Sequence, residues 1–338
     1  MSRRLLISFI LVAILGSSVP LISILGSPTP VHAQDRKTPV IGFLTSGFKA
    51  ALNKAWVAAF HTGLKESGYV EGQNVTIDYR AADDQYDRLD DLAGDLVRNQ
   101  VSVIIAAGGP VSALAARRAT RTIPIVFTTI ADPVRSGLVD GLSHPGGNAT
   151  GTAGLTSELD EKRLELLHQI IPAARRFGVL VNPKRPGVQS NSEDMQVAAQ
   201  KLGVELAFEN AGPEHPLDTA FERLAQRRVE ALVVTADPYF NFRRAQVVGW
   251  AERLALPAIY QWREFVADGG LMSYGPSIAD AYYQTGVYAG RILKGARPAD
   301  LPVLQPTKFE LVINRRTAKS LGIDVPPIML TRANDVIE

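Results

Sequence analysis

Two short stretches place a carboxylate where a binding site could use it. Ile125-Val126-Phe127-Thr128-Thr129-Ile130-Ala131-Asp132-Pro133 and Ala231-Leu232-Val233-Val234-Thr235-Ala236-Asp237-Pro238 each end an apolar run in Ala-Asp-Pro. Asp followed by Pro is a common way into a helix, so each carboxylate either caps a helix or meets a positive group of a ligand in a dry cleft. The second is followed by Tyr239 and Phe240, rings that could wall such a site. Conventional catalytic hardware is missing. The absence of Cys removes thiol nucleophiles, disulfides and Cys-ligated metals. His61, His144, His168 and His215 are scattered without the i, i+4 pairing of a zinc site. No Gly-x-Ser-x-Gly elbow, phosphate loop or dinucleotide turn occurs. An enzyme would have to work with Asp132, Asp237 and Glu264, with no His or Cys beside them. Binding without turnover is expected, with neither a cofactor nor a metal.

The elements that would position these residues alternate along the chain. Residues 39–45, 74–81, 101–107 and 123–130 have strand character, and the last two are continuous apolar runs, as in strands covered on both faces. Residues 53–67 and 86–99 have helical spacing, so helices on both faces of a parallel sheet follow. The pattern restarts after 148–155. Helices are predicted over 158–171, 192–202, 217–226 and 242–254, and strands over 177–181, 204–209, 229–235, 258–260 and 270–274. The fold class is therefore α/β, two doubly wound units in succession, and the repeated Ala-Asp-Pro about 105 residues apart echoes that division. Residues 277–294 form a helix in which Gly286 and Gly290 allow close approach to a neighbour. The Pro-rich 299–306 reads as a crossover, 309–313 as a strand and 316–321 as a short helix.

In an open α/β sheet a ligand sits outside the carboxyl ends of the strands, where helix N-termini aim free N–H groups at it. Thr45, Ser46 and Phe48, then Gly108, Gly109 and Ser112, then Thr129 and Asp132 fall there in the first unit. In the second unit Asn182, Asp237 and Tyr239, Trp262 and Glu264, and Tyr274 do. Each also has a plain structural reading. Gly108-Gly109-Pro110 ends a strand and starts a helix, or cradles a carboxylate. Asn182-Pro183 forms a turn, or lines the cleft.

Residues 1–33 differ from all that follow. Arg3 and Arg4 precede the apolar run Leu5 to Leu15, and Val31-His32-Ala33 fits the small-x-Ala rule, so a signal peptide cleaved near Ala33 is expected, with a retained membrane anchor as the alternative. The general and twin-arginine export routes both remain open. Without that segment, which carries two Arg and no acid, 34 basic residues face 34 acidic ones. Such a balance argues against a nucleic-acid partner.

Several stretches together resemble one family. Leu64-Lys65-Glu66-Ser67-Gly68-Tyr69-Val70-Glu71-Gly72-Gln73-Asn74, Pro145-Gly146-Gly147-Asn148-Ala149-Thr150-Gly151 and Val179-Leu180-Val181-Asn182-Pro183 carry the likeness. Gly269-Gly270-Leu271-Met272-Ser273-Tyr274-Gly275 and Lys308-Phe309-Glu310-Leu311-Val312-Ile313-Asn314 extend it. The chain is similar to the ABC-transporter substrate-binding proteins whose better-known relatives take up tryptophan and tyrosine.

The resemblance implies a type I periplasmic-binding fold, two Rossmann-like lobes joined by a three-crossover hinge. Residues 38–155 plus about 275–305 would form the N-terminal lobe, and 156–274 plus about 306–338 the C-terminal lobe. Thr45, Ser46, Gly108, Gly109, Thr129, Asp132, Asn182, Asp237 and Tyr274 would line the cleft, with Tyr239 beside Asp237 as a stacking wall. The implied function is a periplasmic, monomeric protein that captures a small molecule, an amino acid or similar polar or aromatic metabolite, and delivers it to an ABC permease with its ATPase. If the ligand is an amino acid, its ammonium would meet Asp237 or Asp132, and its carboxylate hydroxyls and helix N–H groups. A periplasmic ligand sensor for a receptor kinase and an α/β enzyme are the rival readings.

Overall fold

The computed structural model describes residues 38–49, 55–154 and 159–338. The expected signal segment with Ala33, the start of the helix expected from residue 53 and the segment 155–158 lie outside the described residues. Within residues 38–338 the chain forms one contact unit built on two sheets.

The first sheet is assembled by β1 (Val40–Thr45), β2 (Thr76–Ala81), β3 (Val103–Ala107), β4 (Ile125–Thr129) and β5 (Ala149–Ala153), in the order β2-β1-β3-β4-β5 and parallel throughout. Helices α1 (Ala55–Glu66), α2 (Leu89–Arg98) and α3 (Pro110–Ala119) connect the first four strands. Alternation along β3 feeds two cores: Val103, Ile105 and Ala107 pack with α1, Ile104 and Ala106 with α2 and α3. No residue of β3 is less than buried, which is why its sequence is an unbroken apolar run.

The second sheet comprises β6 (Arg176–Val181), β7 (Glu205–Asn210), β8 (Ala231–Val234), β9 (Ala258–Tyr260), β10 (Met272–Gly275), β11 (Glu310–Asn314) and β12 (Asp335–Ile337), in the order β12-β11-β10-β9-β8-β6-β7. Helices α4 (Asp160–Ile170) and α5 (Val188–Leu202) cover one face. Helices α6 (Leu217–Gln226), α7 (Pro238–Phe242) and α8 (Arg244–Arg253) cover the other. The short α9 (Arg263–Ala267) follows β9. Helix α10 (Ile278–Leu293) returns to the first sheet and lies on α1; a Cβ on Gly286 would stand 2.1 Å from the Phe60 carbonyl oxygen, so the pair of glycines there does permit the close approach. Helices α11 (Arg315–Ser320) and α12 (Pro327–Arg332) flank β12. The chain thus passes between the sheets three times, after β5, after β10 and before β11. Leu304 forms one parallel bridge with Thr152 beside the edge strand β5, where prolines on either side do no harm.

Two expectations need correction. The second sheet is mixed, because β11 returns from the first half and enters antiparallel to β10; it arrives through a crossover and not through the strand–helix alternation that implies parallel neighbours. The first Ala-Asp-Pro opens turns, not a helix, since Pro133, Gly137, Gly141, Pro145 and Gly146 break up the run that follows. The helix expected over 242–254 is α8 (Arg244–Arg253), and the short α7 before it, which the patterning does not indicate, is separated from it at Arg243, whose backbone leaves the helical region (φ −108°, ψ 20°). Helix α12 and strand β12 lie beyond the elements the patterning indicates. Among the described residues no helix is long and apolar enough to cross a membrane.

Candidate functional site

The carboxyl ends of both sheets turn towards each other, and a cavity of about 270 Å³ lies between them. Gly108, Gly109 and Thr128 to Ile130 reach it from the ends of β3 and β4, Thr152 to Gly154 from β5, and Ser277, Asp280 and Gln284 from the first turns of α10. The second half contributes Pro238, Asn241 and Phe242 from α7 and Trp262 from the end of β9. Residues 304–307 close it on the crossover side. That volume suits one small metabolite, since drug-sized pockets span roughly 300–1,000 Å³.

Three of the ten residues expected to line the cleft do line this cavity, Gly108, Gly109 and Thr129, as does Trp262, which was placed at a strand end beside them. Thr45 and Ser46 stand behind them with their hydroxyls engaged. Ser46 Oγ donates to the Gly108 carbonyl at 2.6 Å, and Thr45 Oγ1 accepts the Gly47 N–H at 3.3 Å. Gly108 (φ 79°) and Gly109 (φ 91°) both sit where side chains are strained, and a Cβ on Gly108 would stand 2.7 Å from Ser46 Oγ. Asn182, Asp237 and Tyr239 form a second group. Asn182 Nδ2 donates to Asp237 Oδ1 at 3.2 Å and to Tyr86 Oη, across the cleft, at 3.3 Å. Asp237 caps α7 by accepting the Tyr239 N–H at 2.7 Å. The structure brings the last two residues to neither group. Asp132 Oδ1 accepts the Val134 and Arg135 N–H groups at 2.8 and 3.2 Å within its own turn. The Tyr274 ring packs on Phe309 with centroids 6.2 Å apart.

Sequence reasoning missed Thr152, Asn241, Phe242, Asp280 and Gln284. One signal was available for Asn241: it lies four residues after Asp237, one helical turn on and on the same face. The residues of α10 and of 304–307 reach the cavity only through the crossovers, which local patterning does not describe.

Across the cleft the two halves touch through charge and rings. Arg243 pairs with the buried Asp84 of the first half. Its guanidinium lies 4.7 Å from the Phe48 ring centroid and 4.0 Å from that of Tyr239. Burial raises the Asp84 carboxyl above its ordinary range even though Arg243 pulls it down. Such a pair at a partly dry interface is worth on the order of 1–2 kcal/mol. Arg243→Ala should therefore move the balance of apposed and separated halves about tenfold towards separation. Small-angle scattering would read this as a larger radius of gyration; an unchanged radius would count against the latch.

Burial pushes the Asp237 carboxyl from 3.8 up to about 6, against the pull of Arg185, Asn182 and the Tyr239 N–H. The folded chain therefore binds a proton more tightly than the unfolded one between about pH 4 and pH 6. The resulting stabilisation is complete below the lower value and is lost as pH rises through the upper one. Asp237→Asn should flatten this part of the stability profile, measured by denaturant unfolding across that range. Parallel profiles for the variant and the parent would contradict the assignment.

Two doubly wound sheets with a cavity between their carboxyl edges define a two-lobed ligand-binding protein. The sequence profile of ABC transporter substrate binding proteins matches residues 49–337, and the chain belongs to that family. It is 29% identical over 264 residues to a tyrosine-binding protein of Clostridioides difficile (strain R20291), covering 78% of this chain and 75% of the relative. Among solved structures, the ABC domain in complex with L-Trp from Streptococcus pneumonia superposes with a TM-score of 0.79 at 25% identity, covering 89% of this chain and 100% of the other. A ligand-free, open substrate binding protein with adhesive properties from Clostridium difficile gives 0.61 at 26% identity, covering 89% and 99%. More distant periplasmic binding proteins share the fold alone, the type I periplasmic-binding fold. The family and the open relative are substrate-binding proteins, and the Streptococcus structure holds L-Trp.

Proposed function

We propose that this chain is the periplasmic solute-binding component of an ABC importer, exported with removal of its leader near Ala33 and working as a monomer. It captures an amino acid or a similarly small polar or aromatic metabolite between its lobes and presents the closed form to a permease with its ATPase. The lobes are residues 38–155 with about 275–305, and 156–274 with about 306–338. The observation that carries this reading is the cavity of about 270 Å³ walled by both halves at once. Only contacts made simultaneously to both halves favour closure, so a ligand in that cavity selects the closed form. The tyrosine-binding relative and the tryptophan complex support an aromatic amino acid. The chain also superposes better on the tryptophan complex than on the open, ligand-free relative, at nearly equal identity.

The test is titration calorimetry of the mature chain with L-tyrosine and L-tryptophan, paired with small-angle scattering. Saturable binding with contraction is expected. Binding without change in radius would remove hinge closure from the account, and chemical conversion of the bound compound would replace it with an enzyme.

A further inference from the structure

The cavity's lining has an uneven chemistry. Its walls are apolar and aromatic, chiefly Ile130, Phe242, Trp262 and Ile278. Among the described residues that line it, Asp280 alone bears a charge, and no Lys, Arg or His does. Asp280 is the third residue of α10, where a carboxylate could fold back onto the N-cap backbone. It does not do so. Ser277 Oγ accepts the Asp280 N–H at 3.2 Å, while the carboxylate itself has neither an ion pair nor a hydrogen bond among the described residues.

Two further polar groups are buried against the cavity with unmet capacity. Asn241 is 3% exposed, and its Oδ1 is buried without a hydrogen-bond partner among the described residues. Thr152 is 5% exposed and its Oγ1 is likewise unpartnered. Leaving a buried polar group unsatisfied is costly, and a ligand that supplies the missing partner recovers that cost. Asn241 belongs to one half and Thr152 to the other, so a group bonded to both is bonded only when the halves meet. The carboxylate of Asp237, by contrast, already has the Asn182 and Tyr239 donors.

We propose that the site recognises its ligand by a protonated amine on a compact apolar or aromatic body, read by Asp280, Asn241 and Thr152, and that a ligand carboxylate contributes little. This rests on the solute-binding reading and goes further by naming the group that is read. With no cation in the described lining, a carboxylate would meet only neutral donors, namely hydroxyls, the Asn241, Gln284 and Gln305 carboxamides, the Trp262 indole and backbone, whereas an ammonium finds a full opposite charge and two unpartnered acceptors.

The test uses the mature full chain and three probe sets in calorimetry: L-tryptophan and L-tyrosine, the corresponding amines tryptamine and tyramine, and the corresponding desamino acids. The amines should bind within about tenfold of the amino acids, and the desamino acids more than about a hundredfold more weakly, a charged hydrogen bond setting that scale. Asp280→Asn, an exposed and isosteric change, should weaken the amines more than about tenfold. Asn241→Asp, which keeps an acceptor, should preserve amine binding where Asn241→Ala loses it. Desamino acids binding as tightly as amines, or amine affinity unmoved by Asp280→Asn, would overturn this inference and leave the solute-binding reading standing. Failure of all three sets to bind would overturn both.

Discussion

Gly109→Ala should abolish tight ligand capture while leaving each half folded. The position has φ 91° and ψ −170°, a region that is essentially reserved for glycine, and this alone costs about 1–3 kcal/mol for any side chain. The second penalty acts between the halves: an added Cβ would lie 2.6 Å from Cγ of Pro238, the first residue of α7 on the opposite side of the cleft. Proline is rigid and heads a buried helix, so it cannot swing aside as a long side chain would. The apposed state is destabilised relative to the separated one by about 2 kcal/mol or more, which lowers affinity by roughly thirtyfold or beyond. Gly68→Ala is the matched control. That glycine has φ 87° with nothing within 4 Å of the added carbon, so it suffers the backbone strain without the clash. Calorimetry with L-tyrosine and L-tryptophan, and scattering without ligand, should separate the two variants. Equal behaviour would mean that Gly109 matters only for local backbone strain.

The contrast between these glycines also marks how far the sequence reaches. Gly108-Gly109-Pro110 is legible as a strand end meeting a helix start, because Gly and Pro punctuate locally. That Pro238, well over a hundred residues away, presses on it is not. The same boundary runs through the polar residues. Thr45, Ser46, Asn182 and Asp237 were placed at strand ends by apolar run length, and they lie there. Whether their polar atoms are free for a ligand depends on partners distant in the chain, such as Gly108 for Ser46 and Tyr86 for Asn182. The continuous apolar strands β3 and β4 and the amphipathic α6 were readable because burial on two faces, or on one, leaves its own period. The direction of β11 and the delivery of Ser277, Asp280 and Thr307 to the cavity were not, since crossovers are fixed by how lobes pack and not by local pattern.

Removing Arg163 should produce the largest loss of stability, through a pair that holds the second crossover. Arg163 on α4 is fully buried, and its Nη1 lies 2.5 Å from Asp160 Oδ1, itself 1% exposed. Its Nε donates to the Tyr274 carbonyl at 2.8 Å, at the end of β10, two residues before Pro276 enters the cavity wall. Burial lowers the Arg163 pKa and raises that of Asp160, each partly countered by the other. Both directions say that desolvation outweighs attraction, so the pair is poor evidence of net stabilisation. Breaking it is a different matter. Arg163→Ala leaves a buried carboxylate with the attraction of Arg185 and the Ala236 N–H but without its ion-pair partner, and a carbonyl without the Arg163 donor, for a cost of about 3 kcal/mol. Thermal unfolding should fall by on the order of 10 °C. The paired replacement Asp160→Leu with Arg163→Met, of similar volume and without charge, should recover most of that loss. It should still bind ligand more weakly than the parent, because no donor then holds the Tyr274 carbonyl and the crossover that carries Pro276 and Ser277 is less firmly set. Calorimetric melting of the three chains, with L-tyrosine titrated into the double variant, separates the two roles. A double variant as unstable as Arg163→Ala would show that the ion pair is itself the stabilising element, and parental affinity in a stable double variant would show that the crossover needs no such anchor.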